Sequence, residues 1–230
     1  MQGHAYAAGT LRPRRLPARA RPGDPKVALA VAGLCVLAMA AVWSLAELVP
    51  AIQFKDAVAL HDFTRLNRPA IDGVGNLLIK VLRPELFILW GVALVAACLA
   101  RGRPRVALAV VAVMSLAPLT SELLKPLLAH PHVRIAGLEI NPASWPSGHS
   151  TAALALALCV VLVAPARLRP VLSILAGAFA LAVGIFLLVF AWHMPSDVLG
   201  GYLVASMWMA LAVAGLRADE RRWPSTRPPA

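Results

Sequence analysis

The sequence predicts an all-α protein, a polytopic membrane helical bundle with six transmembrane helices and both termini in the cytoplasm. Three observations lead there. Of the 230 residues, 60% are apolar and 14% charged, whereas a soluble domain carries about a quarter charged residues; mean hydropathy is +0.73. The apolar residues gather in six stretches, 27–49, 85–100, 106–124, 149–164, 171–192 and 198–216, with charged or proline-bearing breaks between them. The basic residues are distributed unevenly among those breaks.

Taking the elements in order, residues 1–26 form a basic leader. Arg12-Pro13-Arg14-Arg15 and Arg21-Pro22-Gly23 make it a disordered cytoplasmic segment. Ala38-Met39-Ala40 resembles a signal-peptide cleavage site, but the apolar run continues to Val49, so the first stretch reads as an uncleaved anchor. In the outer segment 51–83, Asn67-Arg68-Pro69 breaks the chain, and Ile71, Val74, Leu78, Val81 and Leu82 then fall on one helical stripe. That pattern predicts a short amphipathic helix at the outer interface. Arg83 and Glu85 read as interfacial anchors, and Trp90 and Trp192 as interfacial aromatics. About 17 to 20 helical residues cross a bilayer, so stretches 85–100 and 149–164 need Pro84 or Ser147-Gly148 to complete a crossing. Cys35, Cys98 and Cys159 each lie in a different apolar run and read as inert buried thiols. The membrane domain is expected over 27–216 and a cytoplasmic tail over 217–230, disordered from Trp223 onward.

The net charge of +11 suggests a nucleic-acid binder until its placement is read. With the N-terminus inside, the cytoplasmic segments hold 15 of the 22 Lys and Arg residues and three of the 11 acids, Asp24, Asp219 and Glu220. The remainder of the chain holds the other seven cations against eight acids. This is the positive-inside pattern of a membrane protein, with the basic face toward anionic lipid. The expected partners are membrane lipids, with no nucleic acid.

Two outer segments carry the chemistry. One runs from Lys125 through His130-Pro131-His132-Val133-Arg134 to Trp145-Pro146-Ser147-Gly148-His149; the other is His193-Met194-Pro195-Ser196-Asp197. Four of the six histidines are here, on the face opposite the excess positive charge. Ser147 suits a helix N-cap, and a helix N-terminus offers unpaired N–H groups to an anion. Gly148 permits close backbone approach, and His149 projects from the first turn. His193 and Asp197, four residues apart, share a helical face. A carboxylate on one imidazole nitrogen fixes the tautomer and leaves the other free to attack. A capping Asp beside an unrelated histidine would give the same spacing. His130, His132, His149, His193 and Asp197 could also form a metal site, although His-Pro-His is no recognised ligand spacing.

Together these blocks resemble the membrane-bound branch of the type 2 phosphatidic acid phosphatase and haloperoxidase superfamily, whose three motifs read K-x6-R-P, P-S-G-H and S-R-x5-H-x3-D. Here the second is intact as Pro146-Ser147-Gly148-His149, the third ends intact as His193 and Asp197 before Val198-Leu199-Gly200-Gly201, and the first keeps Lys125. The resemblance spans about 56–216 and implies a lipid phosphate or polyprenyl pyrophosphate phosphatase at the outer face of a bacterial cytoplasmic membrane. It implies His193 as the nucleophile that forms a phosphohistidine, Asp197 as its orienting carboxylate and His149 as general acid. Lys125, Ser147 and the Gly148 N–H would hold the phosphoryl oxygens. The substrate would be a lipid phosphate, and no metal or other cofactor is implied.

Both motif arginines are missing. His132-Val133 stands where the first motif has Arg-Pro, and Phe186-Leu187 where the third has Ser-Arg. A charge-assisted hydrogen bond contributes about 1.5–3 kcal/mol, so two lost clamps cost about two to four powers of ten in rate. Protonated His130 and His132, or Arg134, could supply the charge. A lipid head-group phosphotransferase, or a degenerate relative that binds lipid phosphate without turnover, fits the same residues.

Overall fold

The structure, a computed structural model, describes residues 23–131, 137 and 140–223. Among these residues eight helices follow one another: α1 (Pro25–Leu48), α2 (Pro50–Thr64), α3 (Pro69–Lys80), α4 (Pro84–Ala100), α5 (Pro104–Leu127), α6 (Gly148–Val163), α7 (Arg169–Val189) and α8 (Pro195–Arg222). The breaks explain the starts. All but α6 carry proline at the first or second position, where its fixed φ suits a helix and its missing N–H costs nothing. Helix α6 instead opens at Gly148, capped by the Ser147 side chain, and so retains its leading N–H groups.

Helices α1, α5, α7 and α8 are each long and apolar enough to cross a membrane. Helices α3 and α4 meet the same test as one pair, bent by 56° at the break between them. Helix α6 has 16 residues, or about 24 Å of rise, against a hydrocarbon core of about 30 Å. Large apolar side chains such as Leu37, Ile88, Leu108 and Ile174 stand exposed on the outside of the bundle, as lipid contact requires.

Helix α8 packs against α1, α5 and α6. Along α1 the buried residues Ala28, Ala32, Cys35, Met39 and Ala46 are mostly small, which allows close helix approach where no water drives association. Between α6 and α8 the contact is closer still: a Cβ on Gly201 would overlap Ser150 Oγ and lie 2.5 Å from the Ser147 carbonyl oxygen. The three cysteines are buried and free.

The two ends of the bundle differ in chemistry. At one, Asp24 caps α1, its carbonyl accepts from Arg217 at 3.3 Å, and its carboxylate lies 3.5 Å from Arg221. Arg105 pairs with Asp219 at 2.7 Å, and Arg101 donates to the Val163 carbonyl at 3.0 Å. This end gathers the basic segments. The opposite end holds α2, α3, the end of α5 and the starts of α6 and α8, where the histidines lie.

Three details depart from the sequence reading. Helix α1 starts at Pro25 and α8 runs on to Arg222, each beyond the apolar stretch it contains; residues 1–22 and 224–230, where most of the expected leader and tail fall, lie outside the described residues. The outer segment contains two helices, α2 and α3. The buried side of α3 is Gly75 and Ile79, continued by Leu82, while Val74 of the expected stripe is exposed. Gly75 packs against the rings of Phe186 on α7 and Phe190 at its C-cap. A glycine adds nothing to a hydrophobic stripe, so Gly75 is the part of the packed face that the stripe does not show, while Leu78 and Leu82 of the stripe do pack into the core.

Candidate active site

The turn between α7 and α8 sets the position of His193. The Trp192 N–H donates to the Leu187 carbonyl at 2.9 Å and the Ala191 N–H to the Leu188 carbonyl at 3.0 Å, the paired bonds of a Schellman C-cap. Ala191 takes the left-handed position with φ of 54°, where glycine is the usual residue. The chain thereby reverses and presents Trp192 and His193 immediately before α8.

Within α8's first turn, Asp197 Oδ2 lies 3.3 Å from His193 Nδ1 and accepts the Met194 N–H at 2.9 Å. The aspartate therefore both caps the helix and contacts the imidazole. Asp197 is fully buried, and its other oxygen, Oδ1, has no hydrogen-bond partner among the described residues. With Nδ1 turned to the carboxylate, His193 Nε2 is the nitrogen left for chemistry.

The start of α6 is tied to the same turn. The Ser147 N–H donates to the Asp197 carbonyl at 2.9 Å, and Ser147 Oγ accepts the Ser150 N–H at 3.3 Å. Ser150 Oγ donates to the Val198 carbonyl and Thr151 Oγ1 to the Gly201 carbonyl, both at 3.2 Å. Ser121 Oγ on α5 meets Thr151 Oγ1 at 2.8 Å. These buried hydroxyls find partners inside the protein, as a membrane interior demands. They lock α5, α6 and α8 beneath the histidines. The His149 ring then lies 6.5 Å from that of His193, centroid to centroid, and 5.7 Å from Trp192.

Lys125, at the end of α5, lies beside Gly148: a Cβ there would sit 3.4 Å from Lys125 Nζ and 2.8 Å from Glu122 Oε1. Glu122 and Lys125 form an ion pair at 2.5 Å. The one retained motif cation is thus shared with a carboxylate, and the i, i+3 spacing of the pair was the available sequence signal. His130 Nδ1 lies 3.5 Å from Glu47 Oε2, and its backbone N–H donates to the Pro142 carbonyl at 3.0 Å. His132 and Arg134 lie outside the described residues. Residues the sequence reading passed over include Asp56 on α2, which accepts from the Ser196 hydroxyl at 2.6 Å and its N–H at 3.2 Å. Trp192, half exposed, packs on His149.

Lys125, Ser147, Gly148, His149, His193 and Asp197 therefore converge from three helices. A family model described as the PAP2 superfamily matches residues 106–221, half of the chain and every one of these residues. The chain belongs to the PAP2 superfamily. Among solved structures it is similar to the crystal structure of the first transmembrane PAP2 type phosphatidylglycerolphosphate phosphatase from Bacillus subtilis. That match has a TM-score of 0.68 and 20% sequence identity, and covers 85% of this chain and 98% of that one. At that identity the likeness is one of fold. No curated protein matches this chain. With its apolar helices and this fold, the PAP2 chain is an integral membrane protein.

Proposed function

We propose that this protein is a lipid phosphate phosphatase that hydrolyses a phosphomonoester or pyrophosphate through a phosphohistidine on His193. The observation that carries the proposal is the buried Asp197 carboxylate on His193 Nδ1, with His149 beside it on the first turn of α6. Membership in the PAP2 superfamily supports phosphatase chemistry on lipid phosphates.

In the first step His193 Nε2 attacks phosphorus. The bond from phosphorus to the lipid oxygen breaks, its electron pair stays on that oxygen, and His149 supplies the proton that makes it an alcohol. Asp197 holds the Nδ1 proton of His193 and stabilises the charge that develops on the ring. In the second step water gives a proton to His149 and attacks the phosphohistidine, and the phosphorus–nitrogen bond breaks to release inorganic phosphate. The N–H groups of Gly148 and His149, at the open end of α6, and the Lys125 ammonium face the oxygens where negative charge accumulates.

The six-crossing topology with both termini inside accompanies this reading. It puts the histidines at the outer face, where the charge distribution calls for the fewer cations. Candidate substrates are phosphatidate, phosphatidylglycerol phosphate and polyprenyl pyrophosphate. A phosphate-release screen over these lipids with purified protein tests the proposal. Release by the wild type and its loss in His193→Ala support it. Equal release by both proteins would overturn the nucleophile assignment, and product formed only with an added lipid alcohol would make the enzyme a phosphotransferase.

A further inference from the structure

We propose that Lys80 and Arg83, at the corner between α3 and α4, hold the phosphoryl oxygens of the substrate in place of the two motif arginines. This rests on the lipid phosphate reading above. A cleft of about 220 Å³ opens beside His149, and Asn76, Lys80, Arg83 and Trp192 are among the residues that line it. Its described lining contains no carboxylate. Lys80 and Arg83 are both exposed. A guanidinium fork matches two phosphoryl oxygens at once, and the lysine ammonium adds a point charge.

The residues that replace the third motif explain how this corner reaches the site. Leu187, in the arginine's place, has 0% exposure and belongs to the apolar core, so a charge there would have no water. Phe186, in the serine's place, packs with Phe190 against Gly75 so closely that any Cβ on Gly75 would overlap the Phe186 ring. Helix α3 therefore lies hard against α7. Five residues beyond Gly75 the helix ends at Lys80, and Arg83 opens α4. From α7, a run of ring contacts leads to the catalytic histidine: Phe186 to Phe190 at 5.7 Å, Phe190 to Trp192 at 6.3 Å, and Trp192 to His149 at 5.7 Å. The same two substitutions that remove a cation from α7 seat the helix corner that brings two others. The interfacial-anchor role that sequence alone assigns to Arg83 would not explain why it lines a cleft with His149.

The test uses the full chain in neutral detergent, with two readouts. The first is kcat and KM for phosphate release from phosphatidate; the second is calorimetric binding of inorganic phosphate, which needs no turnover. Lys80→Gln and Arg83→Gln should each raise KM and the phosphate Kd about tenfold. Arg83→Lys should recover part of the loss. Arg65→Gln, which removes an exposed cation at the end of α2, should stay within about twofold on both readouts. Unchanged melting temperatures will show that the variants are folded. Wild-type KM and phosphate affinity in both glutamine variants would overturn the inference and leave the phosphatase reading intact. If the wild type hydrolyses no lipid phosphate, that reading fails, while weakened phosphate binding in Lys80→Gln and Arg83→Gln still supports the clamp. No phosphate binding by the wild type overturns it.

Discussion

Asp197 Oδ2 lies 3.3 Å from His193 Nδ1 and 2.9 Å from the Met194 N–H, so one carboxylate oxygen both orients the imidazole and caps the helix that follows it. Asp197→Asn keeps an oxygen for the cap but sets a neutral amide against the ring. The kcat should fall by about 10²–10⁴-fold with little change in KM. Steady-state kinetics on a lipid phosphate check this, and a fall confined to KM would contradict the orienting role.

Glu122 pairs with Lys125, the ammonium that the proposed mechanism sets against the phosphoryl group. Pairs of this partly exposed kind are worth about 0.2–1 kcal/mol. Glu122→Gln frees the ammonium for the phosphoryl group, and KM should therefore fall by about two- to fivefold. A rise in KM would mean that the carboxylate positions the lysine for binding.

Asp56 anchors the start of α8 from outside the family match, through its two bonds to Ser196. Asp56→Ala removes both acceptors one residue from Asp197 and should reduce stability by about 1.5–3 kcal/mol, with kcat falling more than KM. Asp56→Asn, which retains one acceptor oxygen, should recover part of the kcat. Equal kcat in the two variants would remove the positioning role.

Ala191 occupies the position in the α7 C-cap that glycine usually fills, with φ of 54°. A left-handed alanine costs about 1–2 kcal/mol, offset in glycine by its greater freedom when unfolded. Ala191→Gly should stabilise the protein by about 0.5–1 kcal/mol, seen as a higher melting temperature in detergent. A lower one would show that the alanine methyl contributes packing that outweighs the strain.

How much of this was legible beforehand depends on the distance over which each signal acts. Ser147-Gly148-His149 and His193 with Asp197 are local patterns tied to helix starts, and the structure sets the two starts side by side through the Ser147 N–H bond to the Asp197 carbonyl. The apolar runs located α1, α5, α7 and α8 for the same reason. Asp56, separated from Ser196 by 140 positions, has no local pattern to reveal it. Nor has the α3–α4 corner, because Gly75 leaves no mark in a hydrophobic stripe and Lys80 and Arg83 look like any interfacial cations. Leu187 and Phe186 could be read only as losses, since what they pack against lies on another helix.

In the proposed mechanism His193 carries the phosphoryl group between the two steps. The most direct measurement is a rapid quench of the wild type with phosphatidate labelled with radioactive phosphate, followed by peptide mapping. An acid-labile, alkali-stable label is expected on the peptide containing His193 and absent from His193→Ala. Phosphate release with no labelled intermediate, undiminished in His193→Ala, would contradict it.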